Sequence, residues 1–432
     1  MPACFDKISK RSVFYLSLFQ FAFLSALVLV SSVVTAQSQV TDSVKNKTAA
    51  AQTGEKRPNF EIYGFLLTDV IYDFKQMDPN WYDVPRPSKL PSYKNQYGAD
   101  GQLYFSVRQT RLGFKGYIPT SLGPLSTLFE FDLFGSGADA GQTTFHLRHA
   151  YGELGKFGVG QTWSPFVDID VFPNDLELWG PNGMANIRSL QIRYMPIQGD
   201  SKLTIALEKP GGTADEGKYD SMVALKNVIP VFHLPDLTAE YRIAQPWGYV
   251  ELAGILKQLQ WKDLDTSGID YSGRKVGWGL NLSSRIKVFK QDMLHLQLLY
   301  GHGIESYLRD APSDVGIKND GNNLIEGVAL PVTGFVGFYD HYWNKKLSST
   351  IGYSFVKIDN ANGQLPSAFK RGDYVITNLI YTPVKDVLFE LELQYLKRTN
   401  FSDGWTATDP RIQFSFKYNF SQKFYHENNA AQ

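Results

Sequence analysis

The most regular feature of the chain is an alternation of apolar and polar residues with period two. It is clearest near the C-terminal end, where Ile412, Phe414, Phe416, Tyr418 and Phe420 share one face of an extended segment and Arg411, Gln413, Ser415, Lys417 and Asn419 share the other. The segment before it places Val387, Phe389, Leu391, Leu393 and Tyr395 opposite Glu390, Glu392 and Gln394, after a tight turn at 382–386 that contains Pro383. Similar dyads occupy 125–133, 190–194, 203–207, 237–243 and 294–298. From Phe60 to Phe420 there are about sixteen such segments of roughly ten residues, separated by Gly, Pro, Asp, Asn and Ser clusters, and helical periodicity is nearly absent.

The connections alternate in length. Short ones fall near 117–124, 155–156, 196–201, 245–248, 287–292, 340–346 and 382–386; long ones near 75–103, 164–187, 209–235, 258–274, 301–331, 356–371 and 397–410, with an intermediate break near 135–143. Short turns at one end and long loops at the other are the signature of an antiparallel transmembrane β-barrel with both termini on the periplasmic side. A soluble sandwich or propeller would alternate too, with its polar face wet. Strand length favours lipid on the apolar face, as do Tyr117, Tyr194, Tyr300, Tyr381, Tyr418 and Phe420 at strand ends, where interfacial girdles lie. The predicted fold class is therefore all-β, a transmembrane antiparallel barrel of about 16 strands.

The N-terminus adds an export signal. Lys7, Lys10 and Arg11 precede an apolar run from Val13 to Val34, and Val34-Thr35-Ala36 offers compact side chains for cleavage after Ala36. The run is long for a secretory signal, and an uncleaved anchor is the alternative. No later stretch is apolar over a helical span, so any other membrane crossing must be β. Residues 37–59 are polar, small and aperiodic and predict a flexible periplasmic leader; 60–420 predict the barrel, and 421–432 a short periplasmic tail.

Composition agrees with strands and turns: Tyr 24, Phe 29, Trp 8 and Gly 37. The one cysteine, Cys4, lies ahead of the apolar run, so cleavage leaves no thiol for a disulfide, a nucleophile or a metal. Loss of 1–36 removes three cations (Lys7, Lys10, Arg11) and one anion (Asp6), moving the formal charge from 0 to −2, which gives no footprint for nucleic acid.

In a barrel the polar face of each dyad lines water. Its charged members are Arg111, Lys115, Glu130, Asp132, Arg148, Arg193, Glu240, Arg242, Arg285, Glu390 and Glu392. Rings of fixed charge set ion preference, and guanidinium forks suit carboxylates or phosphates. The plainer alternative is that these groups pair with one another. The long connection 164–187 carries Asp168, Asp170, Asp175 and Glu177 with Phe166, Phe172, Trp179 and Pro181, more aromatic than a solvated loop. Folding inward would bury those rings, narrow the channel and set the acids opposite the wall arginines; packing on the rim is the alternative.

Asp168, Asp170 and Asp175 could attract calcium, yet the loop lacks the spacing and central glycine of a calcium loop. His146 and His149, three apart on a strand, are expected on opposite faces and so not as a chelate. Gly158-Val-Gly160 lacks the remainder of a dinucleotide fingerprint and suits a strand glycine at a close contact. Gly-x-Ser-x-Gly, His-Glu-x-x-His and the P-loop are all missing, so no catalytic residue, metal site or cofactor is predicted.

Gln109-Thr-Arg111-Leu-Gly-Phe-Lys115, Leu147-Arg-His-Ala-Tyr-Gly-Glu153, Gly160-Gln-Thr-Trp-Ser164 with Asp168, and Gly180-Pro-Asn-Gly183 before Arg188-Ser-Leu-Gln-Ile-Arg-Tyr194 resemble the DcaP-like trimeric outer-membrane porins over most of 60–420. The resemblance implies a sixteen-stranded homotrimer in a Gram-negative outer membrane, among lipopolysaccharide. It would take up small anionic solutes, dicarboxylates among them, through an arginine-lined constriction. Arg111, Arg148 and Arg193 would lie on the pore wall and Asp168 in the inward loop. Two departures stand out: 37–58 shows no heptads for the N-terminal coiled coil of some members, and twelve residues follow Phe420, where such strands usually end.

The sequence thus predicts a non-enzymatic porin for passive diffusion of small polar solutes. A plugged binding or structural barrel and a barrel-borne hydrolase are the rivals.

Overall fold

The computed structural model describes residues 57–265, 267–321 and 324–426. The expected signal peptide, most of the leader and residues 427–432 lie outside the described residues.

Sixteen antiparallel strands close into one barrel. In chain order they are β1 (Asn59–Asp73), β2 in two pieces (Gln102–Ser106 and Arg111–Thr120), β3 (Gly123–Phe134), β4 (Thr143–Leu154), β5 (Phe157–Trp163), β6 (Arg188–Ile197), β7 (Lys202–Glu208), β8 in two pieces (Val228–Pro230 and Asp236–Gln245), β9 (Gly248–Asp263), β10 (Gly273–Val288), β11 (Asp292–His302), β12 (Pro331–Asn344), β13 (Leu347–Ile358), β14 (Phe369–Val384), β15 (Val387–Asn400) and β16 (Thr406–Tyr425). Each strand pairs with the next, and β16 returns to pair with β1 from Asn59↔Tyr425 to Asp73↔Arg411. Closure removes the sheet edges, which lipid cannot hydrogen-bond.

Residue exposure settles which face is wet. On β15 Leu391 is 48% and Leu393 52% exposed, while Glu390 and Glu392 between them are buried. The apolar face therefore points outward and the polar face into the lumen, the reverse of a soluble sheet. Among the described residues no helix is long and apolar enough to cross a membrane.

The loop asymmetry follows the expected parity. Turns such as 155–156, 246–247 and 385–386 lie at the end that holds Asn59 and Tyr425, and the long connections lie at the other. Asp386, at φ 68, takes the left-handed conformation that closes one two-residue turn. One boundary differs: β16 continues five residues beyond Phe420, because Ser421 to Tyr425 find backbone partners at Tyr63 to Asn59.

Three long loops interlock across the outer mouth. Connection 74–101 folds inward and is fastened to the wall by buried Arg108, which donates to Asp83 at 2.7 Å and to the carbonyls of Gly135 and Gln142. Arg86 of the same loop pairs with Asp310 at 2.9 Å and stacks over Trp81 and Trp179. Above them, Ala214–Asp215, Val315–Asn319 and Ile325–Ala329 form a separate small sheet.

Candidate functional site: the inner loop and its wall

The connection 164–187 crosses the lumen. Leaving β5, it passes Asn281 of β10, whose Nδ2 donates to the Phe166 carbonyl at 2.9 Å. Buried Asp168 then accepts from Arg242 of β8 at 2.6 Å, Tyr249 of β9 at 2.7 Å and Ser283 of β10 at 2.6 Å. Arg242 also reaches Asp170 and holds Glu251 at 2.6 Å. Further on, the Asn174 N–H donates to Asp340 of β12 and the Leu176 N–H to Glu390 of β15 at 2.9 Å. Glu177 caps its own loop by accepting from the N–H groups of Trp179 and Gly180. The loop is thus fixed to the inner wall from β8 to β15.

Gly183 fixes its closest approach: a Cβ there would stand 2.1 Å from the Phe355 carbonyl of β13 and 2.8 Å from that of Phe335 of β12. Gly183→Ala should push this part of the loop off the wall and lower stability by about 1–3 kcal/mol, as overpacking does; the thermal unfolding midpoint of the purified barrel checks it.

The acids of the loop are divided between two places. Arg242 takes Asp168 and Asp170, while Asp175 lies beside Glu392 and Glu390, where burial and those two carboxyls hold its own carboxyl well above the usual range. An uncharged Asp175 can pack there without a counter-ion.

All the wall candidates stand on the inner face, with differing freedom. Glu130 and Asp132 of β3 pair with Arg148 of β4 at 2.8 and 2.7 Å, and Arg111 of β2 approaches Glu130 at 3.5 Å. Lys115 lies over the Tyr63 ring, whose hydroxyl donates to Glu130. Arg193 bonds the Tyr151 hydroxyl and sits 3.7 Å from Glu153. Glu240 is held by Lys202, and Glu392 accepts from Gln394. Arg285 faces the lumen with no ion pair among the described residues. Much of the wall charge is therefore spent internally.

The expectation that His146 and His149 face opposite ways is corrected. The β3–β4 register shifts between Glu130 and Phe131, so that Arg148 is an extra residue and both rings turn inward. They still do not meet on one ligand: His146 bonds Asp132 at 3.0 Å, and His149 bonds Thr162 at 3.0 Å. Gly158 does sit at a close contact, since a Cβ would collide with the Tyr151 hydroxyl.

Two arginines beyond the wall candidates complete the site. Arg188 opens β6 and Arg309 lies in connection 303–330; with Phe134, His146, Trp179 and Asn186 they line a cavity of about 240 Å³ beside the loop. Neither has a carboxylate within ion-pair distance among the described residues; Arg309 bonds Asn186 and the Leu178 carbonyl and stacks on Trp179. Arg188 has the parity of outward Leu190, and alternation alone would send it to lipid. Arg188 lies instead over the ring of Trp163, its ladder partner, which packs on the inner core.

The DcaP outer membrane protein family profile matches residues 31–420. The chain belongs to the DcaP outer membrane protein family. No curated protein sequence matches it. Among solved structures, the outer membrane channel DcaP of Acinetobacter baumannii superposes with TM-score 0.69 at 22% identity, covering 86% of this chain and all of that one. The anion-selective porin of Comamonas acidovorans gives TM-score 0.57 at 11% identity, covering 84% of this chain and all of that one. OmpT of Vibrio cholerae gives 0.53 at 11%, with 85% and 99% coverage. This DcaP-family member is thus an outer-membrane porin of a Gram-negative bacterium, and its family and fold are those of a channel. Arg86, Arg309 and Trp81 gather around Trp179 of loop 164–187 from connections with no periodicity to mark them.

Proposed function

We propose that this porin passes small anionic solutes, dicarboxylates among them, by diffusion along the arginine side of a lumen narrowed by loop 164–187, and that it works as a homotrimer. The observation that carries the reading is a segregation of charge. Loop acids Asp168 and Asp170 are consumed by Arg242 on one side, and among the described residues Arg188 and Arg309 have no carboxylate within ion-pair distance on the other. Unpaired guanidiniums beside a passage raise the local anion concentration. The solved C. acidovorans relative is described as anion-selective, and a V. cholerae OmpT structure of TM-score 0.50 as a trimer form, which favours both parts of the proposal. The outer face would meet lipid, and the rim lipopolysaccharide. No covalent step is involved.

Single-channel recording across a salt gradient tests it. Ohmic steps with a reversal potential of anion sign are expected; cation sign would shift the weight to Glu390, Glu392 and the loop acids. The interlocked mouth loops, with Arg86 tied to Asp310, favour a second reading as a plugged barrel, which silent bilayers would select.

A further inference from the structure

Loop 164–187 is held to the wall by opposite means along its length. At Asp168 it meets an arginine, whereas at Asp175 acid is packed against acid. Asp175 cannot turn away, because both of its neighbours are fastened. The Asn174 carbonyl accepts from Thr350 of β13 at 2.8 Å and from Asn378 of β14 at 3.0 Å, and the Leu176 N–H donates to Glu390 at 2.9 Å. Leu176 itself is buried with Phe65 and Leu67. Between these anchors the Asp175 residue is 8% exposed, and neither carboxyl oxygen has a hydrogen-bond partner. Glu392 is fully buried too, with one oxygen on Gln394 and the other without a partner.

What faces Asp175 from the surrounding elements is mostly acid. Glu390 and Glu392 stand on β15, and Asp340 on β12, where His295 of β11 bonds it. Asp69 of β1 lies near Glu390, and Glu177 follows on the loop itself. Against these six carboxyls stand Lys417 and Arg411 of β16 and, beyond Glu177, Arg309. Among the described residues no lysine or arginine comes within ion-pair distance of any of the six, and Arg411 is turned to Asp73 at 3.4 Å. Tyr374 of β14 adds a hydroxyl with no partner. Taking a carboxylate out of water is costly unless donors or a counter-charge replace the water, and Asp175 has neither at contact distance. With a proton it packs as a neutral group. Ionised, it regains water only if this part of the loop leaves the wall.

We propose that loop 164–187 is a proton-operated gate, whose second half docks on the wall with Asp175 uncharged and leaves it when Asp175 ionises, widening the passage. Burial and the neighbouring carboxyls hold the docked Asp175 well above the usual carboxylate range, to which a released and hydrated Asp175 returns. Docking therefore takes up a proton. It is strongest below the usual range, at about pH 4, and is lost as pH rises through the docked value. The Asp168 end, paired with Arg242, keeps the loop tethered.

The test is the single-channel conductance of the full-length porin in about 1 M potassium chloride, where the screening length falls to about 3 Å and distant wall charge no longer sets the current. Between about pH 4 and about pH 9 the wild-type conductance should rise. Asp175→Asn, which keeps the shape and cannot ionise, should lose the rise and hold the low conductance at every pH. Glu392→Gln, with one like charge fewer beside Asp175, should keep a rise of smaller amplitude. A wild-type conductance that is flat with pH would overturn the gate. A rise that Asp175→Asn retains in full would place the titrating group elsewhere and reject the assignment to Asp175. Silence at every pH would overturn it too, since ionisation would then open nothing, and would select the plugged barrel. The sign of the preferred ion enters none of these outcomes, so the reversal potential tests the anion reading separately.

Discussion

Asp168→Ala should free the start of loop 164–187 and raise single-channel conductance, with added current noise, more than any other single substitution in the lumen. Asp168 is fully buried and is the acceptor for Arg242, Tyr249 and Ser283, three donors from three successive strands. Its Oδ1 also caps the Asp170 N–H at 3.0 Å. Truncation leaves Arg242 with Glu251 and the half-exposed Asp170 as its ion-pair partners among the described residues. Breaking one partner out of a buried pair costs about 3–5 kcal/mol. The strand ladders do not pass through this network, so the loss falls on the loop's attachment while the barrel stays closed. Asp168→Asn, which keeps an acceptor and loses the charge, should give a smaller change in the same direction. Unaltered conductance and noise in Asp168→Ala would mean that the loop is held by its later contacts at Asn174 and Leu176 alone.

The barrel was legible because its physics is local. Period-two alternation, turn residues and the parity of short and long connections are each properties of a few neighbouring residues, and all recur along the chain. Loop 164–187 carries a related cue, since Phe166, Phe172 and Trp179 make poor solvated residues. What alternation could not supply is whatever depends on its local failure. The extra residue at Arg148 brings His149 to the same side as His146, and nothing in the local composition announces a bulge. Arg188 has the parity of a lipid-facing residue yet lies over the ring of Trp163. Arg86 and Arg309 meet at Trp179 from sequence positions more than two hundred residues apart, a contact set by closure of the barrel. The stretch 74–101 carries the same aromatic cue in Trp81, Tyr82, Tyr93 and Tyr97, and Asp83 and Arg108 bury a charge pair to hold it inside.

Charge pairing in the lumen also explains why a count of wall residues misjudges selectivity. Glu130 and Asp132 offset Arg111 and Arg148 at contact distance, so a passing ion meets that stretch of wall as nearly neutral. The double substitution Glu130→Gln, Asp132→Asn removes two negative charges while retaining a carbonyl oxygen at each position to accept from Arg148 and Tyr63. Both carboxylates are almost wholly buried, and the arginines they release are only about a tenth exposed, with side-chain exposures of 10% for Arg111 and 11% for Arg148. A unit charge 4 Å away contributes about 1 kcal/mol in water, or roughly fivefold in local ion concentration. The anion-to-cation permeability ratio should therefore rise roughly fivefold at low salt. At physiological salt the rise should be smaller, because screening acts beyond about 8 Å. Reversal potentials of wild type and variant at both ionic strengths measure the ratio. A change confined to low salt fits a through-water effect of the unmasked arginines, while an unchanged ratio at both would show that ions pass along a different part of the lumen.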